Sequence, residues 1–413
     1  MPFLETCPVD EKVRFCTTFE QGDQTMTELC RQFGISRKTG YEVLASWQAG
    51  GAAALLPKSH APLSCPHRLE EAMQERVLGL RHVHPKWGPR KIKARLELQE
   101  PGHAFPAAST IGDLLTRNGL TVPRRKRQRV TPSTRPFATC GAPNDLWSMD
   151  FKGWFRTADG QRCDPFTLQD QASRYLLRLI AVKATDGAHV FPILDAAFRE
   201  FGLPLAIRSD NGPPFGSTGC GGLSWLGVQL IKAGVLPDHT DPASPQQNGR
   251  LERMHRTLKD ETASPPANSI RAQSRRFDGF QRIYNDERPH EGIGQAVPAS
   301  VYTASSRSWN GRLTSPDYAD DVTVRRVRKN GEIRWRCGLV YVNSALTGEP
   351  VGLTETEEGG WTVHYGPILL GTVNAKGKLV RPRASAIPGR RSRDAFRSNS
   401  APVNPQSVTH HAG

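Results

Sequence analysis

Three acidic residues stand where a carboxylate is awkward unless it has chemistry to do. Asp150 interrupts an aromatic-rich run, LWSMDFKGWF (146–155). Asp210 closes a short apolar run, LAIRS (205–209), and Asn211-Gly212 then turns the chain away. Open α/β sheets place their sites at the C-terminal ends of strands. Glu252 comes early in a helix beginning near Gln247, where Leu251, Met254 and Leu258 take one face and Glu252, Arg256 and Lys259 another. Carboxylates converging from two strands and a helix would repel one another. Divalent cations remove that difficulty, and hard oxygen ligands suit Mg²⁺ or Mn²⁺. Two such ions roughly 3.5–4 Å apart can activate an attacking hydroxyl and stabilise the leaving oxygen of a phosphodiester. Taken singly, each acid is more readily a surface charge or a turn residue; only the combination points to chemistry.

The strings around these acids carry a resemblance. WSMDFKG (147–153), IRSDNGPPF (207–215) and SPQQNGRLERMHRTLK (244–259) resemble the Asp-Asp-Glu signature of bacterial insertion-sequence transposases with a retroviral-integrase-type core. YNDERPHEGIGQAVPASVY (284–302) is similar to the segment that follows the core in that family. The resemblance covers nearly the whole chain. It implies an RNase H-like core with Asp150, Asp210 and Glu252 as the metal-binding catalytic triad, holding Mg²⁺ or Mn²⁺, two ions in all. It also implies that Asn248, Arg256 and Lys259 contact the DNA end. Two departures stand out. The interval from Asp210 to Glu252 is longer than in retroviral integrases, with GSTGCGGLSW (216–225) the place for the extra length. The retroviral His-His-Cys-Cys zinc module is absent.

The implied function is a DNA transposase that binds the terminal inverted repeats of its element, then cleaves and joins DNA. Its partners would be double-stranded DNA, as element ends and as target, and further copies of itself in a synaptic complex. A stand-alone RNase H-like nuclease is the alternative enzyme, although two DNA-reading modules are an address such a nuclease does not need. A transposase-derived regulator that binds without cutting is the alternative from another class, and its mark would be a lost carboxylate.

Elements to position the triad can be read around it. Trp147, Met149, Phe151 and Phe155 alternate with Ser148, Asp150 and Lys152, the period of a strand. Further strands are expected at 164–170 and 174–183, and helices at 186–201, 222–233, 247–262 and 268–285. Together they predict a mixed α/β sheet flanked by helices.

The N-terminal region reads as all-α. Thr25 and Glu28 form a capping box, Gly34 breaks that helix, and Ser36 caps a second one that Gly50–Gly51 stop. Helix, Gly turn and helix make a helix-turn-helix, whose second helix opens Ser36-Arg37-Lys38-Thr39, short polar and basic residues suited to a DNA groove. A second such unit follows, with a basic helix at WGPRKIKARL (87–96), including Arg90 and Lys91, and a capped helix at 107–120. Next comes RRKRQR (124–129), five positive charges in six residues, whose Arg124, Arg125, Lys126, Arg127 and Arg129 suit phosphates or a solvated linker equally. Past residue 310 the chain turns β-rich. Asn330-Gly331 within 322–342 signals a hairpin, and a small β-barrel fits, followed by a basic, disordered tail.

The domain plan is therefore a helix-turn-helix domain at 1–56, a second helix-turn-helix or winged-helix-like domain at 65–122, and a basic linker at 123–139. The integrase-type core takes 140–305, the β-barrel 318–380 and the tail 381–413.

Composition limits what else the chain could be. Its 413 residues exceed one ordinary core, and 55 Lys and Arg against 40 Asp and Glu leave +15, an attraction for polyanions. No apolar run approaches the roughly 20 residues that span a bilayer. The N-terminus does not have the form of a secretory signal. The 8 cysteines form no Cys-x-x-Cys pair, so zinc is not expected and a reduced, nucleoid-associated cytoplasmic setting is. GTVNAKGK (371–378) has the wrong spacing for a phosphate loop and reads as a hairpin turn, so no nucleotide is expected. His239, His255 and His290 lack metal-ligand spacing and read as surface or structural residues.

Overall fold

The computed structural model describes residues 7–57, 69–121, 140–240, 245–357, 359–374 and 377–381. The chain divides into two compact units, residues 1–70 and 71–413. No described helix is long and apolar enough to cross a membrane. Arg124, Arg125, Lys126, Arg127 and Arg129 lie outside the described residues.

The first unit is three helices, α1 (Pro8–Glu20), α2 (Met26–Gln32) and α3 (Arg37–Ala54). The expected capping box is present at α2. The Thr25 amide donates to Glu28 Oε2 at 2.9 Å, and the Glu28 amide donates back to Thr25 Oγ1. Gly34, at φ +65°, makes the turn. Ser36 then caps α3 by accepting from the Thr39 amide. α3 kinks at Gly50–Gly51, the expected stop, before one more turn. Phe15, Leu29 and Leu44 form the core, so α1 completes a hydrophobic unit that two helices alone could not bury.

The second unit begins with α4 (Glu71–Val83), α5 (Pro89–Gln99) and α6 (Ala108–Arg117). Val77, Trp87, Ile92, Leu96, Ile111, Leu114 and Leu115 are buried at this trio. No strand accompanies it among the described residues, so the winged form is not seen.

The sheet follows. It uses β1 (Leu146–Phe151), β2 (Phe155–Arg156), β3 (Arg162–Asp170), β4 (Leu176–Val182), β5 (Ala206–Ser209) and β6 (Leu236–His239). β1 is central, antiparallel to β3 and parallel to β5; β2 and β4 both pair with β3, and β6 lies beyond β5. Helices α7 (Gly187–Phe201) and α8 (Trp225–Lys232) cover one face, burying Trp147, Met149, Phe166 and Ile207 against Leu194, Phe198 and Leu230. Helices α9 (Gly249–Leu258) and α10 (Ile270–Arg282) cover the other, where Leu251, Met254, Leu258 and Phe277 meet Cys163, Leu176 and Leu179. The mixed sheet flanked by helices is as expected. On the polar side of β1, Ser148 is buried and Asp150 lies 3.8 Å from His255 of α9.

Helices α4–α6 pack against the segment after α10 rather than standing apart. Lys91 Nζ donates to the Pro289 carbonyl, Arg90 pairs with Glu291 at 2.8 Å, and Arg95 and His84 approach Glu287 at 3.9 and 3.8 Å. The basic face of α5 is thus partly spent on the chain's own residues. Burial, with Arg288 alongside, pulls the Lys91 amine down to about 8. Its charge therefore costs stability in the folded state below that pH. Between about 8 and 10.5 the folded state is neutral there while the unfolded chain still binds the proton, so stability rises with pH. Relative to Lys91→Met, the wild type should gain up to about 3 kcal/mol across that window. Denaturant unfolding of both proteins at the two ends checks this; parallel pH profiles would contradict it.

After the short helix α11 (Pro298–Val301), the remaining strands are β7 (Thr323–Arg326), β8 (Glu332–Trp335), β9 (Gly338–Tyr341), β10 (Pro350–Glu355), β11 (Trp361–Tyr365), β12 (Ile368–Val373) and β13 (Leu379–Val380). Two expectations change here. The strands form an open five-stranded sheet, β13-β12-β11-β10-β7, and a separate β8–β9 hairpin, so a closed barrel is not found among the described residues. Nor does Asn330-Gly331 join paired strands. It makes a tight turn in which the Arg328 amide reaches the Glu332 carbonyl, while β7 pairs with β10 and β8 with β9. Both sheets bury their apolar sides in one cluster with Ile333, Val340, Leu353 and Val363, so closure is not needed to hide them. On either side of GTVNAKGK, β12 and β13 pair antiparallel, as the hairpin reading expects, and the Asn374 amide donates to the Lys378 carbonyl; residues 375 and 376 lie outside the described residues.

That cluster also contains Cys220, Leu223, Val228 and Ile231, so the long interval between Asp210 and Glu252 has a structural use. Asn343 Nδ2 donates to the carbonyls of Cys220 and Leu223, both at 3.1 Å. Gly221, at φ +69°, lets Leu370 approach so closely that a Cβ would lie 2.9 Å from it. Lys232 and Glu349 close the seam with a 2.7 Å ion pair.

Candidate active site

Asp150 is the penultimate residue of β1, opposite Thr167 on β3. The parallel register pairs Leu146 with Ala206 and Ser148 with Arg208. Continued by two residues, it brings Asp210 alongside Asp150, just past the end of β5. Burial first, then the charges of Asp210 and Glu252, push the Asp150 carboxyl up to about 7, although the Phe151 amide and Lys152 partly relieve it. Burial also raises Asp210, against the Gly212 amide and His239. The turn after Asp210 is pinned where Asn211 Nδ2 donates to the Thr240 carbonyl at 2.7 Å.

Glu252 stands in the first turn of α9, exposed, where the partial positive charge of a helix start favours a carboxylate. The structure thus brings Asp150 and Asp210 together, with Glu252 within electrostatic reach. Among the described residues, no three His, Cys, Asp or Glu side chains are drawn into one metal-sized group. A buried carboxylate beside two others takes up either a proton or a cation. The donors are hard oxygens, with no thiolate among them, and that set fits Mg²⁺ or Mn²⁺.

The remaining expected residues that are described fall into three places. Asn248 is the N-cap of α9, its Oδ1 buried without a hydrogen-bond partner, and Arg256 and Lys259 are exposed toward the other end of that helix. Ser36, Arg37, Lys38 and Thr39 are exposed on the first turn of α3. Arg90 and Lys91 occupy the α5 seam described above, where Lys91 is engaged with Pro289.

Sequence reasoning passed over two residues. Lys152 lies near Asp150 and Lys259, and burial and the Lys259 charge lower its amine, so positive charge lines the rim of the acidic pair. His255, read as a surface or structural residue, is buried one turn beyond Glu252. Its Nε2 meets Thr167 Oγ1 at 2.7 Å, and its Nδ1 is 3.8 Å from Asp150 Oδ2. Burial and Lys152 hold the imidazole down to about 3, so it is neutral. The spacing of Glu252 and His255 on one helix was the available signal. His290 is half-buried against Tyr284, and His239 reaches the Asp210 carbonyl at 3.2 Å.

Several known families and proteins are similar to this chain. Two family models described as "Integrase core domain" match residues 141–245 and 233–298, and one described as "Homeodomain-like domain" matches 39–115. The chain is 29% identical over 248 residues to the insertion element IS407 uncharacterized 31.7 kDa protein of Burkholderia multivorans, covering 59% of this chain and 84% of that one. It is also 29% identical over 261 residues to the insertion element IS476 uncharacterized 39.2 kDa protein of Xanthomonas euvesicatoria, covering 62% and 71%. Among solved structures, the HTLV-2 integrase catalytic core domain in complex with magnesium matches 40% of this chain and 99% of its own, at 14% identity and a TM-score of 0.32.

Proposed function

Starting from a chain that is an insertion-sequence transposase with a retroviral-integrase-type core, we propose that it binds the inverted repeats of its element, cleaves there and joins the freed ends to target DNA. The observation that carries this reading is the pairing of Asp150 with Asp210 at neighbouring strand ends, with Glu252 in reach on a separate helix. Asp150, Asp210 and Glu252 are the residues that would hold divalent cations. Bound there, such ions would neutralise charge at the phosphodiester and favour an oxygen nucleophile at neutral pH.

The chain's own residues do the rest. The exposed first turn of α3 supplies the address, through Arg37 and Lys38. Lys152 borders Asp150 with Lys259 beside it, and these two with the exposed Arg256 of α9 attract the phosphate backbone, while Asn248 lies at the start of α9. Water attacks the phosphodiester at the element's end, forming a P–O bond as the P–O3′ bond breaks and frees a 3′-hydroxyl. That hydroxyl then attacks a target phosphodiester, joining to its phosphorus as the target's own 3′-oxygen leaves. Pairing two ends calls for more than one copy of the chain.

The test is cleavage of a duplex bearing the element's end by the purified protein. Cleavage should require Mg²⁺ or Mn²⁺ and survive a zinc-selective chelator. Metal-independent cleavage, or unfolding once zinc is removed, would contradict the proposal.

A further inference from the structure

We propose that His255 is a positioning residue: with Thr167 it forms a buried strut that fixes α9, and therefore Glu252, against the strand carrying Asp150. This rests on the reading of the three carboxylates as a metal-binding set and extends it to residues that hold the set in place.

Thr167 is fully buried and His255 is 7% exposed. The Thr167 hydroxyl donates to the Asp150 carbonyl at 3.0 Å and meets His255 Nε2 at 2.7 Å. One hydroxyl thus ties together β1, β3 and α9. Around it the contact between helix and sheet is apolar, with Leu251, Met254 and Leu258 against Cys163, Leu176 and Leu179. Apolar contact holds a helix down but sets its rotation and axial position only loosely. Hydrogen bonds are directional, and in a buried seam a polar group without its partner is costly, so one register is selected.

A second tie operates at the start of the helix, where Arg250 Nη1 donates to the Gln171 carbonyl at 3.0 Å. Glu252 lies between the two ties, two residues after one and three before the other. The imidazole also limits where the Asp150 carboxylate can swing, since its Nδ1 stands 3.8 Å from Oδ2, beyond hydrogen-bonding distance. The strut therefore acts on both carboxylates while touching no reacting atom.

Removing partners that orient metal ligands typically weakens metal binding by about 10–100-fold. The experiment measures Mn²⁺ binding to the full chain by electron paramagnetic resonance, without DNA, alongside metal-free thermal unfolding. His255→Leu and Thr167→Val should each raise the Mn²⁺ dissociation constant about tenfold or more. His255→Gln, whose amide reaches the position of Nε2, and Thr167→Ser, which keeps the hydroxyl, should stay near the wild-type value. The double variant should be no weaker than the weaker single one, because both changes remove the same bond.

Wild-type Mn²⁺ affinity in His255→Leu or Thr167→Val, or additive losses in the double variant, would overturn the strut. Should His255→Leu fail to fold, Thr167→Val carries the same test, since it removes one hydroxyl at nearly constant volume. Asp150→Asn separates the two levels. If it binds Mn²⁺ as the wild type does, the carboxylates are not the metal site, and the proposed function fails together with the strut.

Discussion

Asp150→Asn, Asp210→Asn and Glu252→Gln are each expected to abolish cleavage and joining while leaving affinity for end DNA nearly unchanged. Metal stabilisation of a phosphoryl transition state is worth several kcal/mol. With about 1.4 kcal/mol for each factor of ten, losing a ligand should cost about a thousandfold or more. The three losses should not add, because the carboxylates act as one unit. Unfolding can be separated from lost chemistry by the sign of a titration. The Asp150 carboxyl is raised from 3.8 to about 7, so the folded state holds the proton more tightly than the unfolded chain. Its stabilising contribution is present below about pH 4 and is lost as pH rises to about 7. Metal-free Asp150→Asn, which carries no charge to bury, should therefore be at least as stable as the wild type at pH 8. A variant that keeps near wild-type strand transfer would remove its residue from the catalytic set. A variant that is inactive but less stable at pH 8 would point to a structural role.

The second large effect concerns the address. Arg37→Ala and Lys38→Ala should each cost about 1–3 kcal/mol for every base edge the side chain reads, and most of that cost should fall on discrimination between end and random DNA. Neutralising Arg124, Arg125, Lys126, Arg127 and Arg129 should instead weaken binding to both DNAs together. It should also flatten the salt dependence, by roughly 0.9 in slope for each duplex phosphate left without its cation. Salt titrations of both variant sets on both DNAs distinguish the two behaviours. Specificity lost with the linker charges and salt dependence lost with the helix residues would reverse the assignment. Unchanged binding in both sets would make the N-terminal region an oligomerisation or partner surface.

The elements that carry the candidate site were legible because their signals are local. Asp150 sits in a strand with period-two alternation, Asp210 directly follows a short strand at a turn, and Glu252 lies in the first turn of an amphipathic helix; each element forms where its own residues place it. The Thr25–Glu28 box and the Ser36 cap were legible for the same reason, since a cap is an interaction across three residues.

What escaped was non-local. His255 gains its meaning from Thr167, 88 residues earlier in the chain, and from the register that sets Thr167 opposite Asp150. Arg90 and Lys91 read as part of the basic helix of a second DNA-binding unit. Nothing within α5 announces that Pro289 and Glu291 will meet them. Alternation around Asn330-Gly331 marked strands correctly but not their partners, because β7 pairs with residues of β10 that lie 24 to 30 positions downstream. The length of 216–225 was visible, whereas its use in seating Asn343 and Leu370 required the later strands to be in place.

Metal-dependent joining of DNA at an addressed end, carried out by Asp150, Asp210 and Glu252, is the central claim. Its most direct measurement is a strand-transfer assay with a labelled, pre-cleaved element end, supercoiled target DNA and Mg²⁺, comparing the wild type with Asp150→Asn. The wild type should join the labelled end to target through its 3′-hydroxyl. An end of unrelated sequence should be joined far less, and Asp150→Asn should yield no joint product. Hydrolysis of any duplex without joining, or joint product from Asp150→Asn at the wild-type level, would contradict the claim.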